Sequence, residues 1–155
     1  MANLSEVYFY HVTKQTVVSA LPQLLAKSID VGWTVFIKGK DEASLKLFDD
    51  AIWTAQPESF IPHAVIGSQN ENKCDILLGT EENDSSNSDF LISVNGALIS
   101  VEEISKYKRC ALLFDDKSSD EMTIAREQWI EFSKADIRAK YWSQETGVWS
   151  LKREN

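Results

Sequence analysis

Adjacent carboxylate pairs and two histidines are the side chains of this sequence best equipped for chemistry. Asp49-Asp50, Glu102-Glu103 and Asp115-Asp116 could each hold Mg²⁺ and activate water, so a phosphohydrolase or nuclease is one reading. That reading needs acids converging at the C-terminal ends of strands. Asp49 and Asp50 are instead consecutive on a helical segment, where they diverge by about 100°, and Asp115-Asp116 stands where a helix N-terminus favours negative charge. Solvated faces and helix-end acids are the simpler explanation. His11 and His63 are the only histidines. One falls in a predicted strand and the other behind a proline, which leaves each without the neighbours a metal site requires. G-x-x-x-x-G-K-[ST], H-E-x-x-H and G-x-S-x-G are absent. No cofactor or metal is expected.

The elements that would position these residues follow from periodicity. Residues 6–12 are β-branched or aromatic on both faces, as in a central strand. Over residues 16–29, Val17, Ala20, Leu21, Leu24, Leu25 and Ser28 recur at helical spacing, and Gly32 supplies a stop. A strand at 33–37 follows, then a helix N-capped by Asp41 with Leu45, Phe48, Ile52 and Trp53 on one stripe, ending before Pro57. Short strands are expected at 64–66, 75–78 and 90–94, with an acidic, solvated connector at 81–89. A strand at 107–114 leads into the longest helix, 119–139, where Met122, Ala125, Trp129 and Phe132 form a core seam. Arg126, Ile130, Lys134 and Ile137 run beside it. Tyr141-Trp142 and Val148-Trp149 are expected to return as an edge strand or an ordered arm.

Strand, crossover helix, strand, repeated, describes an α/β layered sheet, mostly parallel and mixed, flanked by helices. Val12-Thr13-Lys14-Gln15-Thr16 follows the first strand in place of a glycine-rich turn, so a dinucleotide site is disfavoured. The 155 residues, 43% hydrophobic and 26% charged, suit one domain over 1–155, with 150–155 expected to fray. Sixteen basic against 24 acidic residues give a net charge of −8, which repels nucleic-acid phosphate unless locally reversed. The segment from Asp120 onward holds six bases and seven acids, which permits a basic strip around Arg126, Lys134, Arg138 and Lys140. Cys74 and Cys110 lack any C-x-x-C partner and read as reduced thiols of a cytoplasmic protein. Neither a signal peptide nor a membrane span is expected.

The run from Leu47 through Trp53-Thr54-Ala55-Gln56-Pro57-Glu58-Ser59-Phe60-Ile61-Pro62-His63 closely resembles the chi subunit family of bacterial DNA polymerase III. Its W-T/A-x-x-P-x-S-F-x-P-H spacing is the specific part, because an arbitrary α/β domain has no reason to place two prolines, a Phe and a His so. Tyr8-Phe9-Tyr10-His11, Gly32-Trp33-Thr34-Val35, Leu113-Phe114-Asp115, Ala125-Arg126-Glu127-Gln128-Trp129 and Tyr141-Trp142 agree in order, so the resemblance covers about residues 5–149.

That resemblance implies a Rossmann-like sheet without a nucleotide site, in a non-catalytic accessory subunit of the clamp-loader assembly. It implies two partners, the psi subunit and the acidic C-terminal tail of single-stranded DNA-binding protein, with DNA reached only indirectly. A tail ending in acids and then Pro-Phe needs an apolar socket for the ring and a cation for the terminal carboxylate. Arg126 matches the family's tail-binding arginine; Ile130 would add to the socket and Lys134 diffuse attraction. Met122 stands where some members carry a basic residue, which leaves the site with less charge. Phe60, Ile61, Pro62 and His63 are the expected psi contact, the alternative for Phe60 and Ile61 being that they fold back onto the core. Trp53, Trp129 and Trp142 are expected in the core. A receiver-like binding domain is the third possibility, since fold alone does not select function.

Overall fold

Both faces of the first strand are apolar because it has a parallel neighbour on either side and a helical layer above and below. The computed structural model of the chain describes residues 5–54, 63–65, 75–80, 88–144 and 149–155. In it β1 (Glu6–Val12) pairs in parallel with β6 (Arg109–Asp115) and with β7 (Arg138–Ser143). Val7 and Phe9 face one core cluster, while Tyr8, Tyr10 and Val12 face the other. Such double coverage is what parallel sheets require.

The eight strands lie in the order β3-β4-β2-β5-β6-β1-β7-β8, with β2 (Val35–Lys38), β3 (His63–Val65), β4 (Ile76–Gly79), β5 (Phe90–Ser93) and β8 (Ser150–Glu154). Every pairing is parallel except β7 with β8. On one face α1 (Val17–Asp30) and α2 (Glu42–Thr54) bury Val17, Leu21, Leu25, Leu45, Phe48 and Ile52 against the sheet. On the other face α3 (Val101–Ile104) and α4 (Ser119–Lys134) bury Ile104, Ala125 and Phe132. The fold is thus the expected mixed, mostly parallel α/β sandwich of Rossmann-like layers.

Local chemistry sets the helix starts. Thr16 caps α1 through a capping box with Ser19, and the Asp41 carboxylate accepts from the Ser44 amide at 2.8 Å at the head of α2. Those hydrogen bonds hold the Asp41 carboxyl below its ordinary pKa.

α1 and α4 leave adjacent strands, β1 and β6, toward opposite faces, which makes this the switch point where doubly wound folds bind phosphates. Here the amides of Thr13 and Lys14 donate to Gln144 Oε1 at 3.3 and 3.4 Å. A buried side chain takes the donors a pyrophosphate would use, and the turn has no glycine.

Two expectations are corrected. The long helix ends at Lys134, not 139, because Asp136 adopts φ 59° and reverses the chain. Ile137 N–H then bonds Phe132 C=O at 2.9 Å and Asp136 N–H bonds Ser133 C=O at 3.3 Å, a Schellman closure. Ile137 is therefore not on the helix, and Arg138 opens a strand. Residues 150–154, expected to fray, form β8. Asn155 holds that strand in place: its side chain accepts from the Ala139 amide at 2.9 Å and donates to Ile137 C=O at 2.6 Å. The short α3 was not anticipated from periodicity. Residues 81–87 of the acidic connector lie outside the described residues.

Candidate functional site

α4 exposes one face to solvent and turns the other toward the sheet, and a groove of about 380 Å³ runs where that second face meets β1, β6, β7 and β8. Met122, Ala125, Arg126 and Trp129 form the helix wall, and Phe9, Phe114 and Tyr141 form the floor. Lys152 and Arg153 line the side contributed by β8. The spacing i, i+3, i+4, i+7 places the four helix residues on one face.

The floor is a set of interlocked rings. Phe9 meets Trp129 edge-on at 5.2 Å, Trp129 meets Tyr141 at 6.4 Å, and Phe114 stacks on His11 at 5.1 Å. These geometries suit aromatic quadrupoles and leave little rotational freedom. His11 Nε2–H donates to the Asp116 carboxylate at 2.8 Å and its Nδ1 is hydrogen-bonded to the Tyr141 hydroxyl, which fixes that ring in the floor. Glu121, whose carboxylate accepts from the Asp115 amide at 3.2 Å, has its pKa raised by burial.

Electrostatically the groove is the reverse of the whole molecule. Among the described residues its lining carries Arg126, Lys152 and Arg153 and no acid, on a chain of net charge −8. Among the described residues Arg126 and Arg153 have no ion-pair partner. An aromatic floor with cations at its rim has the chemistry to receive an aromatic side chain beside carboxylates.

Of the four residues expected at a tail site, the structure brings Arg126 and Met122 into the groove. It does not bring Ile130 or Lys134. With 100° per residue these lie about 80° and about 120° round the helix from Met122, and Ile130 is exposed on the flank. The basic strip is also different from the expected one. Arg138 and Lys140 lie 3.6 and 3.5 Å from Glu6, so their charge is offset, and Lys152 and Arg153 supply the cations instead.

Trp129 and Trp142 are only half-buried, Trp129 in the groove and Trp142 beside Tyr8 on the opposite face. The side chain of Trp53 lies outside the described residues, as do Phe60, Ile61 and Pro62. His63, expected among the psi contacts, is corrected to an interior residue. Its side chain is fully buried, with Nε2 3.0 Å from Asp49 Oδ1, so it ties β3 to α2 and offers no surface.

The carboxylate pairs are dispersed. Asp49 faces His63, Asp116 faces His11, and Glu103 takes Lys38 Nζ at 2.8 Å. Four strands separate β1 from β3, on the order of 24 Å at ordinary strand spacing, so His11 and His63 cannot share a metal ion. Cys110 is buried and its thiol pKa is pushed far up by desolvation. Cys74 lies outside the described residues.

Sequence reasoning missed the floor residues Phe9, Phe114 and Tyr141 as site residues, and the cations of β8. The signal for the floor was the aromatic content of three strands that read as core. Comparison with known families gives one finding: the family model described as DNA polymerase III chi subunit, HolC, matches residues 4–140. No curated protein matches the chain.

Proposed function

Because the chain belongs to the DNA polymerase III chi subunit family, we propose that it tethers the clamp-loader assembly to single-stranded DNA-binding protein by holding that protein's acidic C-terminal tail in the α4 groove. The family is a non-catalytic accessory subunit of the polymerase and serves DNA replication. The observation that carries the proposal is the charge reversal: among the described residues, three cations and no acid around an aromatic floor, on a chain of net charge −8.

In this reading the terminal Phe of the tail enters between Trp129, Tyr141 and Phe9, and Arg126 takes the terminal carboxylate. Burial of one such ring contributes roughly 1.5–3 kcal/mol, and a charge-assisted hydrogen bond adds a similar amount. The sum suits a partner that is exchanged rapidly. The protein would act in the bacterial cytoplasm at the replication fork, reaching DNA only through its partner.

A second contact is proposed for the psi subunit at Phe60, Ile61 and Pro62. The spacing of the two prolines and the Phe after α2 supports it. His63 contributes there only by anchoring the end of that segment in the core.

Fluorescence anisotropy of a labelled acidic peptide ending in Pro-Phe, against the same peptide without its Phe, across a salt series, tests the tail proposal. Micromolar binding that requires the Phe and weakens with salt is the expected result. Equal binding of the two peptides, or none at low salt, would contradict it.

A further inference from the structure

β8 lies wholly beyond residues 4–140, so the family match says nothing about the two cations that this strand adds to the groove. Their placement depends on an irregularity in the ladder. Tyr141 pairs with Arg153, but Trp142, the next residue of β7, pairs with Leu151, so Lys152 is an extra residue in β8. In a regular strand Leu151 and Arg153 would share a face. The bulge breaks that alternation: Leu151 lies opposite Trp142, whose ring meets Tyr8 on the α1 side, while Arg153 lies opposite Tyr141 on the groove side. Lys152, the inserted residue, also lines the groove. A β-bulge commonly re-aims side chains in this way, and here it turns two consecutive cations to one side.

The position of this pair defines what it can recognise. Arg126 stands on the helix wall and Lys152 and Arg153 on the strand wall, with Tyr141 in the floor between them. A peptide whose terminal carboxylate is held by Arg126 has Lys152 and Arg153 in the same groove to meet its preceding residues. Lys152 and Arg153 are both exposed, and Asn155, bonded to β7 and to Ser133, holds their strand against α4. A charged inserted residue also guards this sheet edge against pairing with another copy of the chain.

We infer that β8 is a specificity element of the groove, in which Lys152 and Arg153 read acidic residues preceding the C-terminal Phe of the bound peptide. This rests on the tail-binding reading and deepens it. The groove then distinguishes peptides by the number of acids upstream, a property that the socket and Arg126 alone do not supply.

The test compares two labelled peptides, one with acids upstream of Pro-Phe and one with those acids replaced by Asn and Gln. Each is titrated with the full chain, with the double variant Lys152→Ala/Arg153→Ala, with Arg153→Gln alone, and with the charge-conserving pair Lys152→Arg/Arg153→Lys. The double variant is expected to bind the acidic peptide about three- to tenfold more weakly, the scale of two exposed ion pairs. It should show a shallower salt dependence and an unchanged affinity for the amide peptide. Arg153→Gln should lose part of the same preference and the charge-conserving pair should retain it. Equal affinity of the double variant and the unaltered chain for the acidic peptide would overturn the inference and leave the tail reading standing. An equal loss for both peptides would overturn it in favour of a structural role for β8. If the unaltered chain binds neither peptide, the tail reading fails and this inference falls with it.

Discussion

His11 and Tyr141 are joined by a hydrogen bond between the tyrosine hydroxyl and Nδ1, and the opposite ring nitrogen of His11 is committed to Asp116. Together the two bonds set the angle of the Tyr141 ring in the groove floor. Replacing Tyr141 by Phe keeps the ring and removes the bond. Stability should fall by about 0.5–1.5 kcal/mol, while tail affinity stays within about twofold. Urea unfolding and peptide titration of the same variant check both halves, and Tyr141→Ala should lose affinity as well.

Arg126 is exposed, so its truncation should not disturb the fold. Arg126→Ala is expected to weaken tail binding by about 1.5–3 kcal/mol, the scale of a hydrogen bond to a charged group. Calorimetric titration with an unchanged melting temperature would support this. Unchanged affinity would remove Arg126 from the site.

Lys38 and Glu103 form a buried pair at 2.8 Å, with side chains 13% and 4% exposed, and Glu103 also accepts from the Ser100 amide at 3.0 Å. Lys38→Met leaves that carboxylate buried without its counter-charge and should cost about 3–5 kcal/mol. The double change Lys38→Met/Glu103→Gln should recover part of the loss. Denaturant midpoints for the two variants measure the difference.

Burial raises the Glu121 pKa, so the fold disfavours its ionised form. For a carboxyl whose folded pKa exceeds the unfolded value, the native state binds the proton more tightly. Its contribution to stability therefore improves as pH falls through the folded pKa, and it is a cost above that point. Glu121→Gln should match or exceed the unaltered chain in stability at pH 7, with the gap closing toward pH 4. Melting curves across that range test the sign.

Asp136 adopts a left-handed conformation at φ 59° that glycine accepts without penalty. Asp136→Gly should raise the melting temperature by about 2–4 °C, the response of a chain this size to roughly 1 kcal/mol. Asp136→Val should lower it by more than that. Thermal unfolding of the pair provides the check.

Asp136 also shows where sequence reading stops. The elements from β1 to α2 were legible because apolar spacing, Asp41 and Gly32 all pointed the same way. The end of α4 was not, because an Asp in place of the usual Gly closes the helix and the apolar stripe continues formally to Ile137. β8 was hidden because Ser150–Glu154 carries a single apolar residue, Leu151, as an edge strand with little to bury can do. Arg126 and Met122 were legible through the family resemblance, since apolar spacing alone set Met122 on the core seam of α4 and Arg126 on the stripe beside it. Phe9, Phe114 and Tyr141 were not, since their meeting depends on β1 lying between β6 and β7, which is a fact of topology and not of local pattern. Lys152 and Arg153 additionally required the bulge.

The most direct test of tail capture in the α4 groove is a ¹⁵N correlation titration that follows the tryptophan indole signals as the acidic Pro-Phe peptide is added. Trp129 lines the groove, whereas Trp33 and Trp149 pack with the cluster on the opposite face of the sheet. The account predicts a large, saturable shift of the Trp129 indole, still Trp33 and Trp149 signals, and loss of the response in Arg126→Ala at the same peptide concentration. Saturable shifts confined to Trp33 or Trp149, with Trp129 unmoved, would contradict it.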